Sequence, residues 1–170
     1  ARKHIKAAAD LQPDHGPAHV RLAEVALRLD DMKGAEEALL EAKRIEPREP
    51  SIPYNLGRVY ERLGRAPEAL LEYLAFLDLA PQDSRANNIR ARVALYYENT
   101  RDVDAAIRIY REMIASDPSR ASAHLALAGI LYRRALYDEA LPEYEQVLRL
   151  DPTNSAAHAN IGSIYRIKGR

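Results

Sequence analysis

The chain has 170 residues, 47% of them apolar and 6% aromatic, with 25 basic side chains balanced by 25 acidic ones. Zero net charge leaves no electrostatic footprint for nucleic acid or an anionic membrane. The absence of cysteine excludes disulfides and thiolate metal sites, and no apolar run approaches the roughly 18 residues of a membrane span. With no Trp and one Phe, Ala and Leu must carry the packing, which suits close-packed helices.

In chain order, residues 1–15 contain DLQP at 10–13 and read as a second helix without its partner. Residues 16–49 contain RIEP at 44–47, residues 50–83 contain DLAP at 78–81, residues 84–120 contain ASDP at 115–118, and residues 121–154 contain RLDP at 149–152. Residues 155–170 read as a first helix followed by the turn IKGR. The closing prolines Pro13, Pro47, Pro81, Pro118 and Pro152 are separated by 34, 34, 37 and 34 residues, a period that signals a repeat array.

Setting each proline as repeat position 32 aligns the other columns. Position 20 holds Ala35, Ala69, Ala106 and Ala140, and position 8 holds Ala23, Gly57, Ala94, Ala128 and Gly162. Large residues stand at position 24 (Leu39, Tyr73, Tyr110, Tyr144) and position 11 (Ala26, Tyr60, Tyr97, Leu131, Tyr165), with one Ala exception. Small residues let two helices approach closely, and large ones fill the volume beside them. The three extra residues of the third full unit fall before Arg90. They predict a first helix elongated to about 84–100, capped by Asp83 or Ser84. Pro67 sits in a first helical turn, and Pro142 follows its expected cap Asp138 closely enough to bend its helix only slightly.

These columns resemble the tetratricopeptide repeat, a helix–turn–helix unit of 34 residues. The clearest copies are YNLGRVYERLGRAPEALLEYLAFLDLAP within 50–83 and LALAGILYRRALYDEALPEYEQVLRLDP within 121–154. The resemblance implies an all-α, right-handed superhelix of antiparallel helix pairs that binds proteins and performs no catalysis. One departure stands out. The family's usual Trp at position 4 is replaced by His19, Pro53, Arg90, His124 and His158, which predicts looser packing between units there.

The residues themselves carry no nucleophile–base constellation, phosphate loop or metal-ligand spacing. His15 and His19 are four apart, but Gly16 and Pro17 intervene, so a helical metal pair is not expected. No catalytic residue, cofactor or metal is assigned.

In the resembled family the first helices line a concave face. Carried over by repeat position, that face comprises Arg21, Tyr54, Asn55, Arg58, Arg62, Asn88, Arg92, Leu125, Tyr132 and Asn160. Arg58, Arg62 and Arg92, interleaved with Tyr54, make a basic patch that suits an acidic peptide or a terminal carboxylate. Pairing of these arginines with Glu61 and Glu98 is the competing expectation. Of the five places a carboxylate clamp would use, Val20, Glu24, Asn55, Asn88 and Arg92, only two match. An asparagine ladder at position 6 survives only at Asn55 and Asn160.

The functional expectation is a protein-interaction scaffold that holds a partner's peptide or helix in its groove, with no nucleic acid and no membrane insertion. Two alternatives stand beside it. The chain is the non-catalytic, substrate-recruiting segment of a larger enzyme such as a glycosyltransferase, or its open ends stack on further copies into a homo-oligomer. Alanine and arginine content suggests a bacterial source, and the compartment, cytoplasmic or periplasmic, stays open.

Overall fold

The structure is a computed structural model that describes residues 15–169. The half unit expected at 1–15 lies almost wholly outside the described residues. Among those described there are nine helices and no strand: α1 Gly16–Arg28, α2 Met32–Ile45, α3 Ser51–Arg62, α4 Ala66–Leu79, α5 Ala86–Asn99, α6 Val103–Ser116, α7 Ala121–Arg133, α8 Tyr137–Leu150 and α9 Ser155–Ile167. The chain forms two compact units, one up to Ile89 and one from Arg90 onward.

In the first unit α1 packs on α2, α2 on α3, and α3 on α4; in the second α6 packs on α7, α7 on α8, and α8 on α9. Both cores are built on the small column. Ala35, Ala69, Ala106 and Ala140 are each at most 3% exposed. Leu39, Tyr73, Tyr110 and Tyr144 are buried beside them. At Gly57 the approach is closest: a Cβ there would stand 2.4 Å from the buried Tyr73 ring, so no side chain is tolerated without displacing that ring.

The turn inside each unit repeats one conformation. Asp30, Gly64, Arg101, Ala135 and Gly169 share repeat position 15, and all have φ between 58 and 70°. The next residue then donates its N–H across the turn, as Asp31 to the Ala26 carbonyl, Arg65 to Tyr60 and Leu136 to Leu131. This left-handed residue closes the first helix by satisfying carbonyls its last turn leaves open. Only two of the five positions use glycine, the residue that adopts this conformation without steric cost.

The phrase-closing proline has a second role besides ending a helix. Asp117 and Asp151, just before Pro118 and Pro152, accept the backbone N–H groups and hydroxyls of Ser119 and Thr153. These turns hold both aspartates below the ordinary carboxylate range. The proline carbonyl then pairs with the position-4 histidine six residues on: His124 Nε2 lies 3.0 Å from Pro118 O, and His158 Nε2 lies 2.9 Å from Pro152 O. His124 also meets Glu143 Oε2 through Nδ1 at 2.6 Å. At position 4 of the second unit His124 and Arg90 are buried, whereas His158 is exposed. His15 is exposed. It caps α1, its Nδ1 accepting the Ala18 N–H at 3.1 Å.

Two helix starts differ from expectation. The elongated helix at 84–100 is instead Ala86–Asn99. The inserted residues form a turn in which Asp83 accepts both the backbone N–H and the guanidinium of Arg85 at 2.8 Å, and the Ala86 N–H bonds to the Asp83 carbonyl. Asp83 spends its acceptors on Arg85, so it staples the turn instead of capping the helix. The Arg85 pair holds the Asp83 carboxyl far below its ordinary value. Likewise α8 starts at Tyr137 with Leu136 as its cap residue, and Asp138 lies within the first turn, where a negative charge favours the helix N-terminus. Pro142 then sits inside a helix that continues to Leu150.

Candidate functional site

Two adjoining recesses open on the first unit. One, of about 570 Å³, is lined by Pro17, Val20, Arg21, Glu24, Val25, Arg28, Glu46, Glu49 and Ser51. The other, of about 520 Å³, is lined by Glu24, Leu27, Arg28, Asp30, Asn55, Arg58 and Arg62. They share Glu24 and Arg28, so they form one groove with two lobes across the faces of α1 and α3. Of the residues expected at a binding face, Arg21, Asn55, Arg58 and Arg62 come together here.

The groove's electrostatics differ from a simple basic patch. Arg62 Nη1 lies 3.5 Å from Asp30 Oδ1, and both side chains are more than half exposed, so solvent screens the pair and it stabilises little. Arg58 donates to Asn55 Oδ1 at 3.4 Å and lies 5.7 Å from the Tyr54 ring centre. Asn55 is only 7% exposed. Its amide nitrogen donates to no described residue, although the side chain lines the groove. Arg21, Glu24 and Arg28 make no ion pair or hydrogen bond among the described residues. Glu24 and Arg28 stand four apart on α1, a spacing that often pairs on helices, yet both line the groove with no partner among the described residues.

Tyr54 is not an open platform. Its ring packs against Phe76 at 5.4 Å, and the Arg85 guanidinium lies 4.3 Å from its centre. The three-residue insertion thus delivers Arg85 onto an aromatic pair, which its position before α5 hides from a column-by-column reading. Asn88 is exposed on α5, and Arg92 belongs to the second unit.

In the second unit the corresponding faces are less charged. Leu95 is 56% exposed. Leu125 and Tyr132 are half-buried, and Tyr132 meets Tyr137 edge-on at 5.5 Å. Asn160 is half-buried on α9. Glu98 accepts from Tyr110 Oη at 2.7 Å and from Arg133 Nη2 at 3.2 Å. Burial and this carboxylate together push the Tyr110 hydroxyl well above its ordinary pKa. Of the glutamates in the competing expectation, Glu98 is thus engaged by Arg133.

Among the described residues no group of three or more metal-ligating side chains occurs, and no helix is long and apolar enough to cross a membrane.

Comparison with known proteins places these features. Similar curated proteins include the human cell division cycle protein 23 homolog (31% identical over 84 residues, 49% of this chain and 14% of that protein). Others are anaphase-promoting complex subunit 3 of Schizosaccharomyces pombe (24% over 166 residues, 98% and 24%) and the mouse protein O-mannosyl-transferase TMTC3 (26% over 152 residues, 81% and 16%). The chain spans less than a quarter of the length of each of these relatives. Among solved structures, YrrB, described as a TPR protein with an unusual peptide-binding site, superposes with a TM-score of 0.75 at 16% identity, covering 99% of this chain and 86% of YrrB. MamA superposes at 0.69 and 21% identity, covering 91% of this chain and 82% of its own. The tetratricopeptide repeat model matches residues 1–50, 41–84, 54–96, 93–155 and 131–170. The chain belongs to the tetratricopeptide repeat family, and its fold is that of the family's helical solenoids.

Proposed function

We propose that the chain is a protein-interaction module that holds an extended or helical segment of a partner against the first-helix faces of its first unit, with acidic groups of the partner meeting Arg28 and Arg58. The observation that carries this reading is the two-lobed groove, whose wall holds charges with no partner among the described residues and the buried side chain of Asn55, whose amide nitrogen donates to none of them. Groups of this kind are satisfied by water in the free protein, and a partner that brings complementary charges and acceptors can take the water's place. The peptide-binding site ascribed to YrrB supports the same reading by analogy.

The test compares capture by the intact protein with capture by an Arg28→Glu/Arg58→Glu variant of matched helicity, with the bound surface mapped by cross-linking. Partners lost from the variant and cross-linked along α1 and α3 support the groove. Equal capture by both forms removes it.

A second reading rests on the similarity to 16% of the length of an O-mannosyl-transferase. In it, the same groove recruits substrate polypeptide for a catalytic part elsewhere in a longer protein. Glycosyl transfer by a full-length protein that persists after the double substitution would reject it.

A further inference from the structure

The sign of charge changes along the groove. Beyond the shared Glu24 and Arg28, one lobe carries Glu46 and Glu49 against Arg21. The other carries Arg58 and Arg62 against Asp30, which is already engaged by Arg62. Carboxylates and guanidinium groups are equal in number around the whole wall, four of each. A uniformly acidic segment laid through it meets as many like charges as opposite ones, and like-charge juxtaposition opposes binding. It would also cover Glu24 without giving it a partner, which carries the full cost of desolvating a carboxylate. At the other lobe the buried Asn55 amide offers donors that only an acceptor satisfies.

We infer that the groove selects a segment bearing both signs of charge. A carboxylate is seated by Arg28, Asn55 and Arg58, and a cationic side chain nearby in the ligand faces Glu24, Glu46 and Glu49. The spacing follows from α1. Glu24 and Arg28 are four residues apart, about 6 Å along a helix axis, and an extended ligand advances about 3.3 Å per residue. The two ligand charges therefore stand about two residues apart. This inference rests on the binding reading above and adds the chemistry of the partner to it.

The experiment is selection of a displayed library of random peptides on the intact chain, run in parallel on Glu24→Arg and Arg28→Glu. Both substitutions fall at groove-lining positions of α1 that make no side-chain bond among the described residues, and circular dichroism confirms that helicity is kept. The expected pool carries an acidic and a basic side chain about two residues apart. Glu24→Arg should remove the basic requirement and tighten a synthetic, uniformly acidic peptide by about three- to tenfold, the effect of turning one partly exposed repulsion into an attraction. Arg28→Glu should remove the acidic requirement. A pool of uniformly acidic or uncharged peptides, indifferent to Glu24→Arg, overturns the mixed-charge specificity while peptide binding stands. Enrichment of nothing overturns both.

Discussion

The two units build their separate cores alike and differ at the surface where a partner would lie. Ala35 and Ala69 in the first, and Ala106 and Ala140 in the second, do the same steric work at the same repeat position, all buried. Their inner faces diverge. The first leaves Arg21, Glu24 and Arg28 without a partner among its described residues, beside a two-lobed groove. The second ties Glu98 to Tyr110 and Arg133, ties Arg134 to Asp104, and presents Leu95, Leu125 and Tyr132. The lesson is a division of labour within each repeat. Columns that face a neighbouring helix are constrained by volume, and columns that face the groove are free to carry chemistry.

The sharpest way to break that comparison is to overfill the two cores. Ala69→Leu and Ala140→Leu should each destabilise by about 1–3 kcal/mol, because a packed interior has no room for extra methylenes. Chemical denaturation measures this, and the account requires similar costs in both units. Next comes one column with two opposite outcomes. Gly57→Ala should destabilise by about 1–3 kcal/mol through its clash with the buried Tyr73. Gly162→Ala, where nothing lies within 4 Å of the added carbon, should stabilise by about 0.5–1 kcal/mol through helix propensity. Thermal melts of the pair decide it, and equal signs would refute the steric account of position 8.

A third test concerns the turns. Ala135 holds φ at 58°, and left-handed backbone disfavours a residue with a Cβ by about 1 kcal/mol. Ala135→Gly should recover much of that in the second unit, whereas Gly64→Ala should lose a similar amount in the first, both read by denaturation. The smallest effect is the response to acid. Hydrogen bonds from Ser119 and Thr153 depress the Asp117 and Asp151 carboxyls below the ordinary 3.8. A depressed folded-state value contributes stability that is present above the unfolded value and is lost as pH falls through the folded one. Stability should therefore decline below about pH 4. Asp117→Asn with Asp151→Asn should flatten that decline, measured by melts between neutral and strongly acidic pH.

The architecture was legible because it depends on volume and period, which a sequence states directly. Small side chains at position 20 and prolines recurring after 34 or 37 residues leave few other packings. The local chemistry was less legible. Asp30, Arg101 and Ala135 adopt the left-handed turn without the glycine that would announce it. The recurring six-residue step from Pro118 to His124 and from Pro152 to His158 was visible as spacing. Its meaning, a ring nitrogen on a proline carbonyl, required coordinates. Asp83 and Arg85 were hidden by the insertion itself, which breaks the column register. The basic patch was half legible: repeat position brought Arg58 and Arg62 to one wall, but the acidic groups Glu46 and Glu49 enter the groove from the cap that ends α2 and the turn after it, outside the columns assigned to the inner face.

The central claim is that the groove of α1 and α3 is where a partner lies. Backbone amide chemical-shift mapping during titration with a peptide carrying a carboxylate and a cation two residues apart tests it most directly. The account predicts that the largest changes fall on residues 20–30 and 54–62. Changes confined to the outward faces of α2 and α4, or to residues 121–133, would contradict it.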